Sequence, residues 1–111
     1  MTDDLHRIGR VGDVPLLEGR SVTVAGRRVA VFRTAEGHHA IDAVCPHRGG
    51  PLADGLVADA CVTCPLHGWR FDLRSGAALG AHPGVAVHDV VERDGELWLR
   101  LAPEAELEQA A

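Results

Sequence analysis

Cys45-Pro46-His47-Arg48-Gly49-Gly50-Pro51 and, with sixteen residues between His47 and Cys64, Cys64-Pro65-Leu66-His67-Gly68-Trp69 are the stretches on which the reading of this chain turns. Each supplies one thiolate and one imidazole. In each a proline follows the cysteine and stiffens the backbone by fixing φ. In each a glycine comes soon after the histidine, where a missing side chain lets backbone approach a bulky ligand and aim N–H groups at it. Two stiff loops that each present Cys and His form a four-ligand site for a soft or borderline metal. Zinc is one occupant that Cys₂His₂ admits, although C-x-H is tight spacing for two ligands of a single ion.

Outward from these loops the pattern is one of short β-type runs separated by turn residues, about every 8–12 positions, which predicts an all-β sandwich or barrel. Strands are expected over Ser21–Ala25, Arg28–Thr34, His38–Val44, Val85–Arg93 and Glu96–Leu101. In the second of these, Val29, Val31 and Arg33 fall on one face and Ala30 and Phe32 on the other. Asp94-Gly95 between the last two runs is a hairpin signal, because both residues tolerate positive φ. Leu97, Leu99 and Leu101 share a face there, opposite Trp98. Between Cys45 and Gly84, Gly and Pro recur so often that little continuous sheet is expected. A long irregular stretch inside a small domain points to function or to an anchor other than a core. The acidic tail, residues 104–111, reads as a solvated end.

Composition narrows the function. The 111 residues fit one domain, with no room for a second catalytic one, and the chain is 46% hydrophobic and 24% charged. A formal net charge of −5 argues against nucleic-acid binding, which needs a basic face. All 11 basic residues are Arg, so chemistry built on a lysine Schiff base or a P-loop lysine is excluded. Three cysteines cannot all pair within the chain, which disfavours a disulfide scaffold. The acidic start Met1-Thr2-Asp3-Asp4 is unlike a signal peptide, and no apolar run nears the ~20 residues of a membrane span. A cytoplasmic protein without membrane attachment is expected.

C-x-H, sixteen residues and C-x-x-H together resemble the Rieske [2Fe–2S] ferredoxin family. The likeness extends through Cys45–Leu52, Cys64–Asp72, the Ser75-Gly76 turn, Pro83 at the place of the family's third loop, and Asp94-Gly95. It implies a Rieske-type antiparallel β base with an inserted cluster-binding subdomain at about 43–84, in a single domain of residues 1–103. It implies one Rieske [2Fe–2S] cluster per chain, with Cys45 and Cys64 on one iron and His47 and His67 on the other. With neutral imidazoles the oxidised centre is formally uncharged, so it accepts an electron more readily than an all-thiolate cluster, at between about −150 and +300 mV. Imidazoles exposed on ferric iron also acidify, which implies proton-coupled reduction at high pH.

High-potential relatives carry an extra disulfide across these loops, and Ser and Tyr hydroxyls that hydrogen-bond sulfur. The matching positions here hold Gly50 and Leu66, and Trp69 and Phe71. The resemblance therefore implies a low-potential centre. It also implies redox partner proteins: a reductase, and a terminal oxidoreductase or large subunit. Compact length, Val29–Arg33 and Cys45–Leu56 resemble the small subunit of assimilatory NAD(P)H-dependent nitrite reductases. The alternative is a stand-alone ferredoxin that shuttles electrons from a flavin reductase to a ring-hydroxylating oxygenase. No substrate chemistry is expected of the chain on its own.

The remaining candidates receive quieter readings. Cys61, which forms a formal CxxC with Cys64, is expected to be a small buried residue on the strand entering the second loop. His6, His38, His39, His82 and His88 are expected at surface or strand positions. Arg48, Arg70 and Arg74 read either as a docking patch for an acidic partner or as solvated charges. Trp69 is expected to shield the second loop.

Overall fold

Short apolar runs closed by tight turns favour neighbouring antiparallel strands, and the chain adopts that arrangement throughout. The computed structural model describes residues 5–45, 50–66 and 68–102. Among them the strands are β1 (Leu5–Arg10), β2 (Gly19–Val24), β3 (Arg27–Thr34), β4 (Gly37–Asp42), β5 (Leu56–Ala58), β6 (Cys61–Thr63), β7 (Arg70–Asp72), β8 (Val87–Arg93) and β9 (Glu96–Arg100). One sheet has the order β1-β9-β8-β4-β3-β2, and a second, smaller one the order β5-β6-β7. The all-β expectation holds, and the five expected strands appear with ends shifted by up to two residues. The acidic tail lies outside the described residues.

Two features depart from the sequence reading. β1 pairs with β9, and its alternation is hidden by a bulge between Arg7 and Gly9. The stretch expected to hold little sheet contains β5, β6 and β7, each of three residues, too short for period-two alternation to be legible.

The hairpins explain themselves residue by residue. Val24 pairs with Arg27, Ala58 with Cys61 and Arg93 with Glu96, leaving two-residue turns at Ala25-Gly26, Asp59-Ala60 and Asp94-Gly95. All six turn residues have positive φ, as a type I′ turn requires to match strand twist. Alanine at 60 carries its Cβ into that region at a cost of roughly 1–2 kcal/mol, which is why this turn leaves no sequence signal.

β3 and β4 form the wall between two apolar cores. Val29 and Val31 of β3 and Ala40 of β4 face one core, which Leu97 and Leu99 of β9 complete. Ala30 and Phe32 of β3 and Ile41 of β4 face the other, together with Val62, Phe71, Leu73 and both Cys45 and Cys64. The predicted face assignment of β3 is thus correct, and both faces are buried.

The seam between β4 and β8 is polar. Asp42 accepts from His88 Nε2–H at 2.9 Å and from the Ala86 N–H at 3.3 Å. His88 Nδ1 in turn accepts from the Ala102 N–H at 2.9 Å, and Arg27 donates to the Ala102 carbonyl. These bonds set the His88 tautomer and tie the end of β9 to the base. His88 lies on a strand as expected, but it is buried and fully used.

Phe32 has no exposed surface and packs in the core that holds both loop cysteines. Phe32→Ala should lower stability by about 3–5 kcal/mol, read as a fall in the urea midpoint.

Candidate metal centre

The two Cys-Pro loops are closed by the same device. The Cys45 N–H donates to the Gly50 carbonyl at 2.9 Å, and the Cys64 N–H donates to the Trp69 carbonyl at 2.7 Å. In each case the acceptor lies five positions beyond the cysteine. Flanking pairs hold the ends: Val44 bridges Pro51, and Thr63 pairs with Arg70. Both loops therefore leave from and return to antiparallel backbone pairs, which anchor their ends. His47 lies on the first loop and His67 on the second, and both fall outside the described residues, as do Pro46, Arg48 and Gly49.

The structure brings Cys45 and Cys64 into one buried cluster, at 2% and 3% exposure. Gly50 joins the loops. Its carbonyl holds Cys45, while a Cβ at this position would lie 2.7 Å from Cys64 Sγ and 3.2 Å from Leu66 Cδ1 and Cγ. Any side chain at 50 would thus fill the space against the Cys64 sulfur. Two buried cysteines brought together beside a glycine-lined recess offer soft ligands to a metal centre, whose positive charge would compensate the thiolates it binds. Gly50 and Leu66 also face one another, so the position of an additional disulfide is taken by a glycine and a leucine.

Around this recess the second loop is braced. Trp69 packs against the core that holds the cysteines, in keeping with the expected shield. The turn after β7 is built by Asp72, whose Oδ1 accepts from the N–H groups of Arg74 and Ser75 at 2.7 and 3.1 Å. Gly76 follows with φ +74°, and a Cβ there would stand 2.1 Å from the Val85 carbonyl. That close approach carries the chain into a third loop, on which His82 stacks against Trp69 with ring centroids 4.2 Å apart.

Other singled-out residues find different places. Cys61 is on β6, as expected, but it is half-buried rather than buried. Val62 points into the core, so by strand alternation Cys61 points away from it. Arg74 is neither a free docking charge nor merely solvated. Its guanidinium makes two bonds to Glu36, at 2.9 and 2.7 Å, joining the β3–β4 turn to the β7 turn. The pairing holds the Glu36 carboxyl below its usual range and raises Arg74. Arg70 is exposed on β7.

His38 bonds Glu92 at 2.7 Å. His39 lies 3.0 Å from the Thr34 hydroxyl, and burial holds it below the usual histidine pKa. His82 is the residue whose setting the sequence did not signal: no spacing rule connects it to Trp69.

Comparisons with known proteins fit this geometry. A cholesterol 7-desaturase from Ciona intestinalis is 53% identical over 55 residues, 48% of this chain and 12% of that protein. The curated relatives it matches are much longer, and the chain spans between 11% and 48% of their lengths. Among solved structures, the ferredoxin of carbazole 1,9a-dioxygenase from Nocardioides aromaticivorans IC177 has a TM-score of 0.82 at 27% identity, covering 88% of this chain and 98% of that one. A protein from Mycobacterium tuberculosis assigned as an NADH-dependent nitrite reductase small subunit also has a TM-score of 0.82, at 25% identity, covering 93% of this chain and 100% of that one. The family model of the Rieske [2Fe-2S] domain matches residues 4–91, a span that includes both clipped loops and the Gly50 recess. The chain belongs to the Rieske [2Fe-2S] domain family, and its cofactor is the electron-carrying [2Fe–2S] cluster of that family.

Proposed function

We propose that Cys45 and Cys64 hold one iron of the cluster and His47 and His67 the other, and that the chain is the electron-transfer small subunit of an assimilatory NAD(P)H nitrite reductase, acting in the cytoplasm. The observation that carries the ligand assignment is the pair of identical backbone clips, with Gly50 set against the Cys64 sulfur. The two histidines enter through their place in the C-x-H and C-x-x-H spacing. On this reading residues 43–84 form the cluster-binding part of a domain spanning residues 1–103. The bound cluster takes up and releases one electron at a time.

The chain's own residues hold and tune it. Pro46 and Pro65 stiffen the ligand loops. Trp69 and Phe71 close off water from the second loop without offering a hydroxyl to sulfur. With fewer donors, the reduced state is less stabilised, and the centre is low in potential.

Two partner classes fit such a carrier. The nitrite-reductase reading is supported by the likeness to the Mycobacterium tuberculosis protein, all of which is covered, and by Val29–Arg33 with Cys45–Leu56. The second reading, a ferredoxin passing electrons from a flavin reductase to a ring-hydroxylating oxygenase, is supported by the likeness to the carbazole dioxygenase ferredoxin over 98% of its length.

Three measurements test these proposals. Purified protein should contain two iron and two acid-labile sulfide per chain. Cys64→Ala should abolish both, while Cys61→Ala retains them; equal loss in the two variants would overturn the ligand assignment. Redox titration followed by EPR should place the midpoint near the lower end of the family range, about −150 mV, and a value near the positive end would remove the low-potential reading. The reduced holoprotein should be reoxidised by a sirohaem-containing nitrite reductase large subunit under nitrite. Reoxidation by an oxygenase component instead would establish the second partner class.

A further inference from the structure

His82 sits on the third loop, beyond both ligand loops, and the geometry around it is specific. Its imidazole lies nearly parallel to the Trp69 indole, with an interplanar angle of 14° and centroids 4.2 Å apart. Its edge meets the Phe71 ring at 5.0 Å and 67°. Both arrangements are ones that aromatic quadrupoles favour. Nδ1 is 2.9 Å from the Pro83 carbonyl. A carbonyl only accepts, so Nδ1 carries the proton and the ring plane is locked. The His82 N–H donates to the Gly80 carbonyl at 2.9 Å, which tightens the loop beneath the ring. A Cβ on Gly80 would meet the ring at 3.3 Å, so the loop passes close under the imidazole.

The partner of this stack is the residue that closes the second ligand loop. The Trp69 carbonyl receives the Cys64 N–H at 2.7 Å. The third loop is itself held at its two ends, where Leu79 N–H donates to Arg70 and Val85 N–H to Gly76. Between those ends the His82 ring presses on the clip residue of the Cys64 loop. We propose that His82 is a positioning residue for the cluster: by stacking on Trp69 it pins the third loop across the second ligand loop, fixes the Cys64 hairpin tip and keeps water from the cluster. This rests on the assignment of Cys64 as a ligand, and it adds a residue that the Cys and His motifs do not contain.

The stack and the Nδ1 bond can be separated by substitution. His82→Phe keeps a ring against Trp69 and loses the donor; His82→Gln keeps an N–H donor and loses the ring; His82→Ala loses both. Each variant is made in the full chain and compared with the wild-type holoprotein. The readouts are the rate at which visible absorbance is lost with a ferrous chelator, the EPR g values of the reduced cluster, and its midpoint potential. A stack of this kind is worth about a three- to tenfold change in an opening equilibrium, so His82→Ala and His82→Gln should lose the cluster about three- to tenfold faster. Their midpoints should move upward, because water admitted to the site stabilises the reduced, more negative centre. His82→Phe should stay within about twofold of wild type with unchanged g values.

Rates, g values and midpoints unchanged in His82→Gln would overturn the proposal, and so would His82→Phe behaving like His82→Gln. Should His82→Ala fail to accumulate, the comparison of His82→Phe with His82→Gln decides alone. A wild-type protein lacking two irons per chain would instead fail the ligand assignment, so the two failures are distinct.

Discussion

β3 has no face that can be left to water. Val29 and Val31 point one way and Ala30 and Phe32 the other, and all four are buried. A strand of this kind must be covered on both sides, which sets the organisation of the whole chain. The first cover is the base's own sheet curling round with β9, whose Leu97 and Leu99 meet the valines. The second is the excursion between β4 and β8, which brings Leu52, Val62, Phe71 and Leu73 over Phe32. The part of the chain that carries the cysteines is therefore also the second half of the core. Cys45 and Cys64 are core residues as much as loop residues.

This explains how the ends of loops rich in glycine and proline are held. Each loop is closed by a hydrogen bond from its cysteine N–H to the carbonyl five positions on, and each is continued by paired or bridged backbone. Proline narrows the conformations available within the loop, and glycine supplies close approach where a sulfur is to be accommodated. Cysteines whose N–H groups are clipped in this way have their backbone pre-arranged, which suits a carrier that cycles between two oxidation states. The Glu36–Arg74 pair joins the two halves at their rim. Being exposed, it adds orientation more than stability.

How much of this could be read from residue order depends on the length scale of each signal. Five of the six longer strands are legible because alternation persists over five or more residues, whereas the bulge in β1 breaks it, and Asp94-Gly95 is legible because its turn chemistry is explicit. β5, β6 and β7 are three residues long and were not legible, and Asp59-Ala60 was missed because alanine does not advertise positive φ. The cysteines announced themselves by chemical type and spacing. Gly50 could be suspected of close approach, but the sulfur it approaches belongs to a hairpin fourteen residues on, which only folding brings near. His82 and His88 show the limit most clearly. One is bound to Trp69 by stacking and the other to Asp42 and Ala102 by hydrogen bonds. Nothing in the spacing of either histidine tells of its partners.

The pairing of β4 with β8 involves only Ala40 with His88 and Ile41 with Val87, yet it closes the entire excursion, while β1 finds its partner only in the last strand. The hairpins β2–β3–β4 and β8–β9 can form from neighbouring residues, but the contact between them waits on the entropy of a long loop. Topologies dominated by such distant pairings fold slowly. In order of synthesis, both cysteine-bearing loops precede β8 and β9, which the larger sheet needs to close. Until β9 arrives, the Val29 and Val31 face of β3 lacks Leu97 and Leu99, and an apolar strand face left uncovered in this way is open to aggregation during synthesis.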